Sequence, residues 1–249
     1  MGAGVTTARV LVPGAMLGGG FPADTIRRGI SLGADIIAVD AGPAGSGPRH
    51  LGTAAAKTSR AAVLRDLRAI LVPANGFGVP VAVGSCGTPE RDADVEWVYD
   101  IATEVAADEY LSLSVARIYN DQAPARIAQL LAEGRVPPRE PSGPLPAETV
   151  RRYSHIVGFT GREPVAAVLE QQAGLVIGRA PAAALAAGLL LSRGLPPGPA
   201  WHARQIAECG RLHSATPPDG GVLVTLDPGG FAVEPLVAGA CTATTVAPA

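Results

Sequence analysis

Short apolar runs alternate with segments of helical periodicity along this chain, and this alternation constrains the fold more than any other feature. The runs hardly alternate with polar residues, as expected for strands that are covered on both faces. The predicted strands span residues 9–12, 35–39, 79–83, 113–119, 155–159 and 175–177. The predicted helices span residues 23–32, 59–72, 93–108, 123–133, 163–172 and 180–192. Strands joined by helical crossovers predict an α/β fold, a doubly wound, mainly parallel, Rossmann-like sheet of about six strands.

The pattern changes towards the C-terminus, after a further predicted helix at 200–210. Two apolar runs, 222–226 and 231–236, flank a turn of Asp-Pro-Gly-Gly and predict a β-hairpin. We therefore expect an α/β catalytic-type domain over residues 1–215. A hairpin and tail over residues 216–249 would pack on this domain or on a partner.

The segment 134–146 is predicted to be a loop, because its prolines fit neither a helix nor a central strand. It divides two halves of the first domain or forms a mobile flap.

Composition excludes several classes of function. The net charge is −2, the chain has only four Phe, four Tyr and two Trp, and no basic stretch is interleaved with aromatic residues, so nucleic acid is not an expected partner. The apolar stretch 182–191 is too short to span a bilayer, and no secretory signal is visible. Three cysteines form no even set of disulfides, which favours a reducing cytoplasm.

Functional residues follow nearly every predicted strand. In open parallel sheets, ligands bind beyond the carboxyl ends of the strands, so these residues are expected to share one crevice. They are Gly18, Gly19 and Gly20 after the first strand, Asp40 after the second, Gly84, Ser85 and Cys86 after the third, Asn120 after the fourth, Glu163 after the fifth and Arg179 after the sixth. The backbone N–H groups of the three consecutive glycines, ahead of a helix, could hold a carboxylate or phosphate.

Lys57 is the single lysine beside nineteen arginines. Lysine is a compact ammonium with an adjustable pKa, whereas arginine is a fixed planar fork, so a retained lysine suggests a role that arginine does not fill. The alternative is chance survival on a solvated turn. We expect Lys57 to face the crevice and to contact the substrate or an acid such as Asp40.

Two further patterns have functional and structural interpretations. Cys86 follows a strand, where a helix terminus would lower its pKa for nucleophilic attack, but a small residue packed beneath a tight turn is the more common case. His202, Cys209 and His213 share one face of the helix predicted at 200–210 and just beyond it. Metal ligation is the alternative to a core-facing edge there, and we predict no metal.

The order of several motifs resembles one known family. The matching pieces are residues 33–42, 47–48 with 51–52, 59–60 with 64–67, 84–87, 95–97, 155–158 with 163–164, 176–180, 200–203, 208–210, 233–236 and 241–242. Together they resemble the N-terminal region of the acyclic terpene utilisation protein A (AtuA-like) family over nearly the whole chain. The resemblance implies an enzyme-like α/β protein associated with breakdown of branched terpenoid acids as CoA thioesters.

The chain departs from the family pattern in two ways. Family members continue the Gly178-Arg179-Ala180 motif with a serine or cysteine and then an aspartate, where this chain has Pro181 and Ala182. They also run to about twice this length. A catalytic acid is therefore in doubt, and a second polypeptide could supply the other half. A role in bacterial specialised metabolism is then an alternative to terpenoid breakdown.

Two functions follow from these observations. The first is a lyase, hydratase or isomerase that removes a proton next to a carbonyl of a branched carboxylic acid or its CoA thioester. Lys57 or Asp40 would be the base, Glu163 or His202 the acid, and Ser59 would line the binding site. Arg60 and Arg179 would clamp a carboxylate. No cofactor is expected, apart from CoA as the carrier of the substrate.

The second function is a non-catalytic, scaffolding subunit of a complex. The high glycine and proline content and the positive mean hydropathy are consistent with apolar surface patches that bind a partner. The predicted hairpin and its nearly uncharged tail would leave an unpaired edge in a monomer. We therefore expect a homo-oligomer or a complex with a second subunit in either case.

Overall fold

One mixed sheet organises the part of the chain that the structure, a computed structural model, describes: residues 7–14, 16–42, 47–138, 143–158, 160, 162–178 and 221–237. Its strand order is β4-β5-β3-β2-β1-β6-β7. The strands are β1 Ala8–Val12, β2 Ile36–Asp40, β3 Val81–Gly84, β4 Val115–Ile118, β5 Leu175–Gly178, β6 Val222–Asp227 and β7 Gly230–Pro235. The helices are α1 Ala23–Ser31, α2 Gly47–Thr53, α3 Arg60–Phe77, α4 Asp92–Asp108, α5 Pro124–Ala132, α6 Ala147–Arg151 and α7 Arg162–Glu170.

The first five strands are parallel to one another, and β6 and β7 are antiparallel additions at one edge. The predicted fold class, a doubly wound and mainly parallel α/β sheet with a C-terminal hairpin, is confirmed. The uninterrupted apolar character of the central strands follows from their burial. Every residue of β2, β3 and β5 is buried, whereas the edge strand β4 is only half-buried.

The connections that leave β3 and β4 pass to opposite faces of the sheet. On one face, Val98 of α4 belongs to the same buried cluster as Ile177 of β5. On the other face, Val165 of α7 belongs to the cluster that contains Val176 of β5. These two connections are consecutive in the chain, but β5 lies between β3 and β4 in the sheet. The carboxyl ends of the parallel strands are the usual place for a ligand in such sheets.

The strand predicted at 155–159 is wrong. Of its described residues, only Val157 forms a β-bridge, and its partner is Asp121 in the loop after β4. Two further backbone bonds, from Gln122 N–H to the Ile156 carbonyl at 2.8 Å and from Gly158 N–H to the Asn120 carbonyl at 2.8 Å, hold the segment there. The segment 155–158 therefore pairs with the loop after β4 and adds no strand to the described sheet.

Helix α3 was predicted to end before Pro73, and this boundary is also wrong. The helix continues to Phe77 and ends at Gly78, which adopts a left-handed conformation with φ 67°. A proline inside a helix costs about 3 kcal/mol. Burial of Ile70, Leu71 and Ala74 on both sides of the proline offsets this cost. The short helix α2, Gly47–Thr53, was not predicted.

The predicted C-terminal hairpin is an extension of the main sheet. Its first strand, β6, pairs with the whole of β1 in antiparallel register, from Ala8 opposite Leu226 to Val12 opposite Val222. Val222 and Val224 are buried in the same cluster as Val10. The described part of the predicted second region therefore packs on the α/β domain itself.

Among the described residues, no helix is both long and apolar enough to cross a membrane.

Candidate functional site

Four described loops meet at the carboxyl edge of the parallel strands. They are residues 13–22 after β1, 41–42 after β2, 85–91 after β3 and 119–122 after β4. Backbone hydrogen bonds tie them to one another: Leu17 N–H donates to the Asp40 carbonyl at 2.7 Å, and Ala41 N–H donates to the Gly84 carbonyl at 2.7 Å. These bonds join the ends of β1, β2 and β3 at one edge of the sheet.

The glycine loop after β1 already holds a carboxylate from its own chain. Gly18 N–H and Gly20 N–H donate to the same Asp66 oxygen, at 2.7 and 3.0 Å. Gly19 N–H donates to the Met16 carbonyl at 3.2 Å. Asp66 lies on α3, is 1% exposed, and its second oxygen accepts from Arg65 Nε at 2.8 Å. The loop was predicted to bind the carboxylate or phosphate of a ligand. In the structure it binds the carboxylate of Asp66, which fixes α3 to the loop after β1.

The turn after β3 is buried and conformationally strained. Ser85, Thr88 and Glu90, none of them glycine, have φ of 46°, 82° and 60°. Such backbone conformations cost about 1–3 kcal/mol each and concentrate at functional sites. Ser85 and Thr88 are each 2% exposed, and the Thr88 hydroxyl has no hydrogen-bond partner among the described residues.

Gly42 fits closely against this turn. A Cβ atom at Gly42 would lie 2.7 Å from both Cα and N of Thr88 and 2.4 Å from its Oγ1. Backbone atoms at that distance have no room to yield, so the loops after β2 and β3 meet only because residue 42 is glycine.

Cys86 is enclosed at the same place. Its side chain is fully buried, and Sγ lies 3.4 Å from the Gly178 carbonyl oxygen. Burial raises the pKa of the Cys86 thiol well above its ordinary range, and the nearby Glu90 and Asp40 carboxylates raise it further. A nucleophilic cysteine needs a lowered pKa and access to substrate. The arrangement favours the alternative stated above, a small residue packed beneath a turn.

Asp40 closes β2 at the centre of this edge. It is 9% exposed, more than any other buried polar residue in the described part of the chain. The thiol of Cys86 experiences its negative charge. Asp40 is thus a carboxylate in a mostly desolvated position that still reaches solvent.

Arg91 joins the turn after β3 to the first turn of α4 and to the segment after α2. Arg91 forms a bidentate pair with Asp94, from Nε to Oδ2 at 2.9 Å and from Nη2 to Oδ1 at 3.0 Å, and it also donates to the Ala54 carbonyl at 3.2 Å. Asp94 is 5% exposed and lies against Gly87. Arg91 therefore connects the segment after α2 to the strained turn.

The loop after β4 is held by the first turn of α4. One oxygen of Asp92 accepts from the N–H groups of Asn120 and Asp121, at 2.7 and 3.0 Å. The side-chain amide of Asn120 donates to the Thr160 hydroxyl. Partial burial raises the pKa of Asp121, and the Asp92 charge adds to this, while Arg91 and His155 act in the opposite direction. Asn120 thus has a structural task at the position predicted for substrate binding.

Three predicted site residues, Lys57, Ser59 and Arg60, lie at the start of α3 or in the turn before it, and each has different contacts. Lys57 is exposed, and Thr58 beside it packs against Gly18, so the lysine lies close to the loop after β1. Ser59 caps α3 by accepting from Ala62 N–H at 3.3 Å. Arg60 pairs with Glu104 of α4 at 2.6 Å, with both side chains partly exposed. Its guanidinium joins α3 to α4, and Glu104 occupies the position that a bound carboxylate would need.

Of the remaining predicted site residues, the structure describes Glu163 alone. Glu163 is exposed in the first turn of α7. Arg179, His202, Cys209 and His213, together with the helices predicted at 180–192 and 200–210, lie outside the described residues. Within residues 7–178 and 221–237, as far as these are described, no group of three or more His, Cys, Asp or Glu is placed to hold a metal ion.

A cavity of about 500 Å³ opens near this edge. Its walls come from α2 and from the segment after α6, with the lining residues Leu51, Gly52, Arg152, Tyr153, Ser154 and His155. A cavity of about 650 Å³ lies at the opposite end of the sheet, beneath the start of β3, where α/β sheets seldom bind ligands. A third, apolar cavity of about 820 Å³ lies beside α5.

Sequence reasoning missed Asp66, Asp94, Arg152 and His155. The first two carried a signal in the sequence, because each acid lies on the apolar face of its helix. Asp66 is three residues after the buried Val63, and Asp94 is four residues before the buried Val98. A charge at a core position needs a partner, which should have directed attention to both residues. The cavity around His155 depends on chain pairing far apart in sequence, and no local pattern indicates it.

No family model, curated protein or solved structure matches the chain.

Proposed function

We propose that the chain is an enzyme that removes a proton next to the carbonyl of a small branched carboxylic acid or its CoA thioester, as lyases, hydratases and isomerases do. The observation that carries this proposal is the position of Asp40. It is a mostly buried carboxylate at the carboxyl end of a central strand, beside a turn in which three non-glycine residues have positive φ. Desolvated carboxylates and stored backbone strain are both characteristic of active sites.

Asp40 acts as the base in this proposal. Its carboxylate takes a proton from the carbon next to the carbonyl, and the electron pair of that C–H bond forms an enolate. The enolate oxygen then needs a hydrogen-bond donor in a site that excludes water. The Thr88 hydroxyl, buried against Gly42 and without a partner among the described residues, is the candidate donor, and its side chain has to rotate to reach the enolate. We place the reaction in the bacterial cytoplasm, with CoA as a carrier of the substrate and with terpenoid-acid or specialised metabolism as its setting.

Isotope exchange tests this reaction without knowledge of the natural product. The protein is incubated in D₂O with 3-methylbutanoyl-CoA and, separately, with 3-methylbutanoate, and the proton signal next to the carbonyl is followed by NMR. We expect exchange with the wild-type protein and a decrease of about 10²-fold or more in Asp40→Asn, because a carboxamide accepts no proton at neutral pH. Asp100→Asn, an exposed aspartate of α4, is the control and retains exchange. Equal exchange in Asp40→Asn would remove Asp40 from the role of base.

A second candidate is the scaffolding subunit, and one observation favours it. Two predicted functional positions serve the fold: the N–H groups of Gly18 and Gly20 bind Asp66, and Cys86 is enclosed. A protein of this fold that has lost its catalytic activity would keep such structural contacts. Absence of exchange with both substrates, combined with a particle mass above 25.1 kDa by light scattering, would support this function over the enzyme.

A further inference from the structure

We propose that the cavity between α2 and residues 152–155 is an oxyanion site that binds the carboxylate or phosphate group of a small-molecule ligand. The inference rests on the proposed function for the identity of the ligand, since a free acid would present a carboxylate and a CoA thioester would present phosphates. The site itself is inferred from position, charge and open space, which are independent of Asp40.

The position of the cavity is that of a ligand site in this fold. One wall, α2, follows β2 in the chain. The other wall continues directly into residues 156–158, which pair with the loop after β4. Both walls therefore belong to connections at the carboxyl edge, and Arg91 ties the end of the α2 segment to the strained turn after β3 through the Ala54 carbonyl.

The chemistry of the cavity suits an anion. Arg152 lines it with a side chain that forms no ion pair with any described residue, although Arg151 next to it lies 3.6 Å from Glu148. His155 offers a ring N–H, and Tyr153 and Ser154 offer hydroxyl groups. Arginine pairs with carboxylate and phosphate through two parallel hydrogen bonds, which makes it the usual residue for this task.

Three other arginines near this edge are already engaged. Arg91 is bound to Asp94, Arg65 to Asp66 and Arg60 to Glu104. An incoming anion would have to displace a carboxylate at each of these places. At Arg152 there is no described carboxylate to displace, so this cavity is the favoured place for an anion among the described parts of the edge.

Gly52 provides a way to block the cavity without disturbing the fold. It lies on α2 within the lining, and a Cβ atom there would meet nothing within 4 Å. Gly76 on α3 is a matched control, since it too is a helical glycine with nothing within 4 Å of a Cβ and it does not line this cavity. A Cβ atom has room at either position, and we expect a tryptophan side chain to occupy the cavity only from residue 52, which lines it.

The test is calorimetric titration of the wild-type protein and four variants with inorganic phosphate, CoA and 3-methylbutanoate. We expect Gly52→Trp to abolish detectable binding and Gly76→Trp to leave it unchanged. Arg152→Gln should weaken binding by roughly tenfold or more, as loss of a charge-assisted hydrogen bond does. Arg151→Gln, its neighbour, should have no effect. Binding of CoA and phosphate identifies a phosphate subsite, whereas binding of 3-methylbutanoate alone identifies a carboxylate subsite.

The inference is overturned if none of the three probes binds the wild-type protein, or if Gly52→Trp and Arg152→Gln bind them as the wild-type protein does. The exchange assay separates this outcome from failure of the proposed function. Exchange that survives in Gly52→Trp with unchanged affinity would refute the site and retain the enzyme. Probe binding that is lost in Gly52→Trp, with no exchange in the wild-type protein, would retain the site and refute the enzyme.

Discussion

The carboxyl edge of the sheet has two regions that differ in how their polar groups are satisfied. In the closed region, residues 16–20, 40–42 and 84–90, backbone N–H groups bind Asp66 and the loops meet within van der Waals distance at Gly42. In the open region, α2 and residues 152–155, an arginine and a histidine line a cavity of about 500 Å³. Residue types typical of ligand sites occur in both regions. The second has a cavity beside them, whereas the first reaches solvent at Asp40, which is 9% exposed.

The difference shows how an intramolecular ligand imitates a functional site. A glycine-rich loop before a helix attracts an anion in either case, because some of its N–H groups, here those of Gly18 and Gly20, have their acceptor outside the loop. Whether that anion is a substrate or a side chain depends on what the rest of the chain brings there. Here α3 brings Asp66, and the loop becomes part of the core.

The largest effect is expected from removal of the anion in the closed region. Asp66→Ala would leave Gly18 N–H and Gly20 N–H without their acceptor, and we expect a loss of about 3 kcal/mol in the free energy of unfolding. Urea titration measures the loss, and Asp66→Asn, which keeps one acceptor oxygen, should lose less. If the comparison is correct, inorganic phosphate should stabilise Asp66→Ala more than the wild-type protein, because the vacated N–H groups then bind an external anion. Equal stabilisation of both would show that the loop depends on α3 in another way.

A smaller effect is expected where the loops meet. Gly42→Ala places a methyl group 2.7 Å from backbone atoms of Thr88, and we expect a destabilisation of about 2 kcal/mol. Thermal or urea unfolding measures it. A neutral result would mean that the loops after β2 and β3 separate at little cost, and the region would then be open in solution.

The third prediction concerns pH. The folded thiol of Cys86 has its pKa raised by burial, whereas in the unfolded chain it titrates near 8.5. Above about pH 8.5 the unfolded state therefore binds fewer protons than the folded state, and the free energy of unfolding falls by up to about 1.4 kcal/mol per pH unit. Below that pH, Cys86 does not change the dependence of the free energy of unfolding on pH.

Urea titrations between pH 7 and pH 10, compared with Cys86→Ala, isolate this contribution, because the other two cysteines are common to both proteins. Parallel curves for the two proteins would indicate that the thiol reaches solvent and that the region is not closed.

The smallest effect is expected in the open region. Gly52→Ala adds a methyl group that meets nothing within 4 Å and removes a helical glycine, so it should stabilise the protein by about 0.5 kcal/mol. Gly76→Ala on α3 should stabilise to a similar degree. A clear destabilisation by Gly52→Ala alone would show that α2 packs more tightly than the cavity implies.

The order of elements could be predicted from the sequence, because buried parallel strands and helical crossovers have distinct local patterns. The predictions failed where tertiary contacts override local preference. Helix α3 passes through Pro73 since its buried face spans the proline, and residues 155–158 pair with the loop after β4, a contact that no local pattern indicates.

The same limit applies to the candidate site. Strand ends such as Asp40 could be located from the sequence, but a partner such as Asp66, 46 residues from Gly20, depends on how α3 crosses the sheet. The pairing of α2 with residues 152–155 across one cavity is likewise a property of the folded chain alone.

The pairing of β6 with β1 has a consequence for the order of folding. Val10 lies beside Ile36 on one side and beside Val224 on the other. During synthesis on the ribosome, the first contact becomes available early, whereas the second waits until residues beyond 220 have been made. Until then the outer edge of β1 is an unsatisfied template for another chain, and contacts this distant in sequence form slowly. Completion of the sheet is therefore a late, slow event, and the nascent protein is most exposed to aggregation just before it.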